Sequence, residues 1–316
     1  MRYAPLLLLL LCSFCSSSAQ GQGPWVFSRP DEARRTGAFE DPELTESSGV
    51  AVSRRHPGVL WTHNDGGQPM LFATDTAGTA LARVKLTGAK VDDAEDIAVG
   101  PCGRGTCVYL ADTGDNRERR RTVRLIRIPE PDLPARGESG RSRPAVSIEL
   151  RYPDGPHDVE AMWVDPAGDT HLVTKGRTVG IRHYRVPASA WSRKGVAIAE
   201  AVGVLPIGAD HRLDRFVTGA AISPDGRWVA VRTYREIYFF ATGTDGTLAL
   251  PPRPIACTLG GIDLQGEGVA WLDGSSLVLT SERAIRPRGT VAVVRCPLRS
   301  GPPVPAAGAA PASRNR

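Results

Sequence analysis

A short apolar segment that begins with a small or acidic residue recurs five times along this chain. The repeats begin 47 to 65 residues apart, and a turn and a second apolar segment follow each opening. Short strands recurring at this period, with no amphipathic helix between them, predict an all-β fold, a β-propeller with one four-stranded blade per repeat. The first residues of the five openings are Ser48, Glu95, Glu160, Thr218 and Glu267.

Turn-forming residues join the first two strands of every repeat, as in His56-Pro57-Gly58 and Pro224-Asp225-Gly226. Five repeats predict five blades, and six stays open because the second and third repeats are long. The fifth repeat shows only three strands. We therefore predict that an N-terminal strand near Trp25 completes the last blade and closes the ring, since an open edge invites aggregation.

The N-terminus has the pattern of a secretory signal peptide. Arg2 precedes an apolar run at Leu6–Leu11, and small residues follow in the stretch that ends at residue 19. The run is too short to span a bilayer. Cys12 and Cys15 lack the small residue expected just before a lipidated cysteine, so we do not predict a lipid anchor.

The remaining chain divides into segments of different composition. We expect an extracytoplasmic protein, periplasmic or secreted, that is monomeric and has no integral membrane segment after cleavage. The predicted segments are a signal peptide at 1–19, a leader with the ring-closing strand at 20–47, the propeller at 48–297 and a disordered Pro/Ala-rich tail at 298–316.

Four cysteines remain after removal of the signal peptide. An even number in an exported protein favours disulfides. Three connectivities can be drawn, and we favour Cys102–Cys107 together with Cys257–Cys296, with buried free thiols as the alternative. No Cys/His spacing is typical of a zinc site.

The net charge of +5 does not indicate nucleic-acid binding. The one basic run, Arg117 to Arg121, is interrupted by Glu118 and falls in a predicted loop. A run of this kind is typical of a solvated surface, so we predict no nucleic-acid partner.

Polar residues concentrate at one end of the predicted strands. Strands one and two of a blade are antiparallel, so the start of the first and the end of the second lie on one face. Three starts carry glutamate, whereas the opposite face receives mostly Pro-Gly and Asp-Gly turns. We predict an acidic rim at one mouth of the central channel. Its further ligand-facing residues are predicted to be His63, Asn64, Asp65, Asp112, Asp115, Asn116, Lys175, Arg232 and Glu282.

Three interpretations of the acidic starts stay open. The three glutamates, Glu95, Glu160 and Glu267, could bind calcium, which takes oxygen ligands from several chain segments. A glutamate paired with a metal or with His63 could act as a general base in hydrolysis, so the catalytic candidates are Glu95, Glu267 and His63. Alternatively, the glutamates are structural and pair with nearby cations. No serine-hydrolase elbow, zincin motif or phosphate loop occurs.

The ordered motifs resemble a known group of propellers. These motifs are Glu46-Ser-Ser48-Gly49-Val-Ala, Asp93-Ala-Glu95-Asp96-Ile-Ala, Ala111-Asp112-Thr-Gly-Asp115-Asn116, and Glu267-Gly-Val-Ala with Thr280-Ser281-Glu282. Over residues 46–296 the chain is similar to the SdiA-regulated propeller family. That resemblance implies an extracytoplasmic propeller with calcium and no settled activity.

Weaker likenesses point in other directions. The segment Tyr109–Asn116 resembles an NHL-type motif, and Ile222–Trp228 resembles the hairpin of TolB-like propellers. A more distant likeness to gluconolactonase- and phytase-type propellers implies calcium-dependent hydrolysis. Ser48 and Thr218 depart from that pattern, because they stand where two further acids would be expected.

The sequence therefore predicts a binding or scaffold module with an acidic channel rim. Its ligand would be a small molecule, a metal (calcium being the cofactor considered) or a protein. The alternative is a calcium-dependent hydrolase, of lactonase or phosphoesterase type, that uses the same rim. A third hypothesis is an interaction module that binds through the outer blade surface.

Overall fold

The computed structural model describes residues 24–178, 180–208, 215–243, 245–263, 265–283 and 287–298. The predicted signal peptide, including Cys12 and Cys15, and all of the predicted tail except Leu298 lie outside the described residues. His211, which showed no metal-ligand spacing in the sequence, also lies outside them.

The described chain is built almost entirely from short β-strands. In the first half these are β1 (Val26–Ser28), β2 (Glu32–Ala38), β3 (Ser47–Val52), β4 (Leu60–Asn64), β5 (Met70–Thr74), β6 (Ala82–Lys85), β7 (Asp96–Cys102), β8 (Gly105–Asp112), β9 (Val123–Pro129), β10 (Ser139–Arg141) and β11 (Val146–Arg151). In the second half they are β12 (Val159–Val164), β13 (Thr170–Thr174), β14 (Arg182–Val186), β15 (Ala197–Ile198), β16 (Glu200–Val204), β17 (Val217–Ile222), β18 (Trp228–Thr233), β19 (Glu236–Thr242), β20 (Leu248–Ala249), β21 (Ile255–Thr258), β22 (Gly266–Trp271), β23 (Ser276–Ser281) and β24 (Thr290–Arg295).

The strands form five sheets arranged as blades around a ring. From the innermost strand outward the blades are β3-β4-β5-β6, β7-β8-β9-β11, β12-β13-β14-β16, β17-β18-β19-β21 and β22-β23-β24-β2. Each innermost strand packs on the next, and β22 packs on β3, so the ring is closed. The protein is a five-bladed β-propeller, and the six-bladed alternative is wrong.

Three blades carry a further parallel strand on their outer edge. These strands are β10 beside β6, β15 beside β11, and β1 beside β21. A short 3-10 helix at Ala188–Ser192 lies between β14 and β16 of blade three. Such additions cover edges that would otherwise present unpaired backbone groups.

The N-terminal leader closes the ring, but with a different strand from the one expected. β2 pairs antiparallel with β24 and is the fourth strand of blade five. The segment after Trp25 instead forms β1, which pairs parallel with blade four. Trp25 itself is buried between blades three and four, where its indole N–H donates to the Pro206 carbonyl at 2.7 Å. The expectation that the Trp25 strand closes the ring is therefore wrong.

The hydrophobic core lies between the blades rather than in one centre. Five clusters of buried side chains each join a pair of neighbouring blades, and together they run around the whole ring. All six residues of β12 are buried, which is typical of a strand covered on both faces. Trp61 fills the junction of blades one and two, and Trp163 that of blades three and four.

Both favoured disulfides are present. Cys102–Cys107 closes the hairpin between β7 and β8, and Cys257–Cys296 joins blade four to the end of blade five. The second bond therefore reinforces a junction next to the ring closure. In the described part of the chain, no helix combines the length and the hydropathy that crossing a membrane requires.

Candidate functional site

The axis of the ring is occupied by one carboxylate. Asp96 is fully buried, and its Oδ1 accepts the Ile97 N–H at 2.8 Å. Its Oδ2 accepts the N–H groups of Met162 at 2.7 Å and Ala220 at 3.2 Å. Asp96 thus binds the innermost strands of blades two, three and four together. A Cβ on Gly49 of blade one would lie 2.7 Å from Oδ1, so glycine is required there.

The electrostatic state of Asp96 reflects two opposed effects. Burial raises its pKa well above the usual value of an aspartate, because a charged group loses its hydration. The three backbone N–H donors act in the opposite direction by favouring the carboxylate.

Acidic side chains come together at the strand starts of blades two and three, in what we call the acidic chamber. Glu95, Asp158 and Glu160 each offer a carboxylate oxygen, and these oxygens lie within 4.8 Å of one another. All three residues are buried. Glu95 precedes β7 and Glu160 lies in β12, so blades two and three together supply the cluster.

Lys175 lies beside this cluster and partly neutralises it. Its Nζ is 2.5 Å from Oε1 of Glu160. Burial alone would lower the pKa of Lys175, but the neighbouring carboxylates, Glu160 first and then Asp158 and Glu95, outweigh burial and raise it. Burial raises the pKa of Glu160 to about 7 although Lys175 opposes the change. Within this pair it is therefore Glu160, and not Lys175, that changes its protonation near pH 7.

Glu95 is the least compensated acid of the chamber. Its carboxylate accepts no hydrogen bond from any described residue, and the side chain is 8% exposed. Burial, followed by the charges of Glu160 and Asp93, raises its pKa well above the usual range. A Cβ on Gly114 would lie 2.1 Å from Glu95 Oε1 and 2.5 Å from Asp93 Oδ2, so both carboxylates approach the Gly114 backbone.

A second acidic pair comes from blade five. Glu267 accepts a hydrogen bond from the Tyr234 hydroxyl at 3.2 Å, and burial raises its pKa well above the usual value. The charge of Glu160 adds to this effect, which places both blades in one electrostatic field. Glu282 is bound by the Gln265 amide, and burial and the charge of Asp65 raise its pKa to about 7.

Three residues expected at the rim bind the backbone or neighbouring side chains. Asp112 is fully buried and accepts the N–H groups of residues 92 and 93 while its other oxygen meets Arg124 at 2.8 Å. Asp115 accepts the Arg120 N–H at 2.6 Å. Asn116 accepts a hydrogen bond from Arg177. The contacts of Asp112 hold the loop that carries Asp93.

The three residues His63, Asn64 and Asp65 make contacts of different kinds. Asn64 Oδ1 accepts the N–H groups of Thr45 and Glu46 at 3.0 Å and so holds the start of β3. His63 is 1% exposed, and burial lowers its pKa to about 4, so the ring is neutral at pH 7. Its Nε2 has no hydrogen-bond partner among the described residues. Asp65 contributes charge that raises the pKa of Glu282.

Arg232 is buried between blades four and five. Its guanidinium pairs with Asp263 at 2.7 Å and donates to the carbonyls of Gly268 at 2.6 Å and Thr280 at 3.0 Å. The residue has no exposed surface. A Cβ on Gly266 would overlap its Nη2, so β22 begins with glycine at that point. Arg232 thus joins two blades rather than facing the open channel.

Sequence reasoning missed Asp158 and the site role of Asp93. Each stands two residues before a glutamate that opens a blade, Asp93 before Glu95 and Asp158 before Glu160. Side chains two apart on an extended chain share a face. That spacing is the signal that could have found them. Tyr234, in the turn after β18, was missed because no acidic pattern accompanies it.

Comparison with known proteins identifies no family. No family model and no curated protein matches the chain. Among solved structures it is similar to the PQQ-bound aldose sugar dehydrogenase of Streptomyces coelicolor, at 12% identity and a TM-score of 0.49, over 85% of this chain and 99% of that one.

Two further solved structures show the same level of similarity. The GH43_1 enzyme of Xanthomonas citri complexed with xylose has 9% identity and a TM-score of 0.48, over 83% of this chain and 90% of that one. The periplasmic gluconolactonase of Pseudomonas aeruginosa has 14% identity and a TM-score of 0.41, over 78% and 76%. The propeller fold hosts many unrelated activities, so the fold alone assigns none.

Proposed function

We propose that the protein is a binding module whose acidic chamber takes a divalent cation, calcium before others. The observation that carries this proposal is the convergence of Glu95, Asp158 and Glu160 within 4.8 Å in a buried chamber. Hard carboxylate oxygens from separate chain segments suit calcium. The uncompensated Glu95 carboxylate is the second support, because buried like charges require a cation or a proton.

The carboxylates of this chamber are suitable ligands for a divalent cation. Glu95, Asp158 and Glu160 would hold it, and Glu267 and Glu282 supply further negative charge from blade five. Arg177 already binds Asp158 at 2.5 Å, and Lys175 binds Glu160. A bound cation would compete with these internal cations, so we expect moderate rather than very tight affinity.

Calcium should raise the melting temperature of the purified protein relative to a chelator, and Glu95→Gln should abolish the increase. A ligand at 100 times its Kd adds about 2.7 kcal/mol to the free energy of unfolding. Because burial raises the pKa of Glu95, a neutral glutamine should leave the metal-free stability unchanged or higher. Differential scanning calorimetry with calcium and with EGTA measures both effects.

The matched control is Glu149→Gln, on the exposed side of β11. This variant should keep the full calcium effect. The proposal is wrong if calcium changes the melting temperature of neither the parent protein nor Glu149→Gln. The carboxylates would then be neutralised by protons and by Lys175 alone.

The calcium effect should grow as pH rises from 5.5 to 8. The folded-state pKa of Glu160, about 7, lies above its ordinary value of 4.5, so this group stabilises the metal-free fold at low pH. That stability is lost as pH rises through 7. Calcium binds the deprotonated form, so its apparent affinity should increase up to about ten-fold per pH unit below 7. Isothermal titration at several pH values checks this, and an affinity independent of pH contradicts it.

A calcium-dependent hydrolase of the lactonase or phosphoesterase type is the second candidate function. It is favoured by Glu160 and Glu282, since a pKa of about 7 suits a general acid or base. Purified protein and the Glu95→Gln and Glu267→Gln variants should then be assayed with a lactone and a phosphomonoester. Turnover that both substitutions remove would favour the enzyme. Turnover absent from the parent protein would favour the binding module.

The proposal includes export and membership of the SdiA-regulated propeller family. Two disulfides among the described residues support an oxidising compartment. The signal peptide at 1–19, the tail at 298–316 and a monomeric state complete the proposed organisation. Mass spectrometry of the secreted or periplasmic protein would test the cleavage site.

A further inference from the structure

The channel end opposite the acidic chamber opens into a cavity of about 450 Å³. Its walls come from the second halves of all five innermost strands and are largely apolar. Ile97, Met162 and Ala220 line it and also donate their N–H groups to Asp96. The Asp96 layer is therefore the floor that separates this apolar cavity from the acidic chamber.

The shape and lining of the cavity suit a small organic ligand. Its volume falls within the range of about 300–1,000 Å³ that is typical of ligand pockets. Trp163, Trp271, Ile222 and Leu272 are among the residues that line it. A sugar or nucleotide would leave several hydroxyl or amide groups without partners on such walls, at a cost in binding free energy.

One cation lies at the edge of this apolar surface. Arg54 is the one charged residue among the described residues that line the cavity. Its backbone N–H is held by Glu130 at 3.1 Å, whereas its exposed guanidinium has no hydrogen bond or ion pair with any described residue. The neighbouring Arg55 differs, because it pairs with Asp132 at 2.6 Å.

We propose that this cavity binds a monocarboxylic acid with an apolar body. The apolar body occupies the space between the five innermost strands, and the carboxylate pairs with the Arg54 guanidinium. Arginine matches a carboxylate through paired N–H donors, which favours an acid over a neutral alcohol of the same length. The site is independent of the cation proposed for the acidic chamber.

Titration of the full protein with decanoate tests the proposal. Isothermal calorimetry, together with the fluorescence of the tryptophans at the cavity, should report saturable binding at a single site. Decanol should bind about ten-fold more weakly, because it lacks the charge-assisted hydrogen bonds. Arg54→Gln should weaken the binding of decanoate by a similar factor and leave the binding of decanol unchanged. Ala221→Phe, which fills the cavity, should weaken both.

Two further variants keep the test specific. Arg55→Gln removes a neighbouring charge that does not line the cavity and should retain parental affinity for decanoate. Glu95→Gln should also bind decanoate normally, which separates this site from the acidic chamber. Thermal melts establish that each variant is folded. The proposal is overturned if decanoate gives no saturable signal, or if Arg54→Gln and the parent protein bind it equally.

Discussion

Replacing Asp96 with alanine is expected to lower the free energy of unfolding by about 3–5 kcal/mol. The substitution removes one acceptor from three buried N–H groups, those of Ile97, Met162 and Ala220. Each buried donor left without a partner costs about 1–3 kcal/mol. The side chain joins three blades at the axis, so the loss should affect the whole ring. Urea unfolding followed by circular dichroism measures it.

Asp96→Asn provides the matched comparison for that measurement. Asparagine keeps the shape and one acceptor oxygen, but its NH₂ group cannot accept a hydrogen bond. We expect Asp96→Asn to have a free energy of unfolding between those of the parent protein and Asp96→Ala. Asp225→Ala, in a partly exposed turn between β17 and β18, should cost much less. A loss below about 1 kcal/mol for Asp96→Ala would show that the axial N–H groups find other partners.

Arg232→Met is expected to destabilise the protein by about 3–5 kcal/mol, because it leaves the buried Asp263 carboxylate without its cation. The carbonyls of Gly268 and Thr280 would lose their donor as well. These contacts join blade four to blade five. Chemical unfolding of the variant beside the parent protein gives the change in free energy directly.

A double-mutant cycle separates the ion pair from packing. Asp263→Asn combined with Arg232→Met should cost less than the two single substitutions summed, because neither charge is then left alone. Arg227→Met is the control, since its ion pair with Asp225 is about half exposed and should contribute little. Strict additivity in the Arg232–Asp263 cycle would contradict the assigned coupling.

The fold was largely predictable because its strongest signal is local. Each innermost strand is buried on both faces, so it appears in the sequence as an apolar run with a fixed opening. The ring-closing strand lacked this signal. β2 has the sequence Glu-Ala-Arg-Arg-Thr-Gly-Ala and is mostly exposed, so no apolar alternation marks it. The segment at Trp25 does carry an apolar signal, but Trp25 packs in the junction between blades three and four.

The candidate site was predictable at the level of strand ends and no further. Antiparallel strand order brings Glu95, Glu160 and Glu267 to one face, and the pKa of Glu267 responds to the charge of Glu160. Adjacent residues on a strand point to opposite sides, so Asp96 differs completely from Glu95 in its contacts. Which acids bind backbone groups, as Asp112 does, depends on loop geometry that spacing does not contain.

The pairing of β2 with β24 has a consequence for how the chain is made. β2 lies within the first forty residues, and its partner is Thr290–Arg295, near the other end. A chain made from its N-terminus therefore carries an unpaired strand until Thr290–Arg295 have been made. Contacts of such long sequence separation form slowly. Closure of the ring therefore waits for Thr290–Arg295, and a chain that stops before residue 290 cannot close.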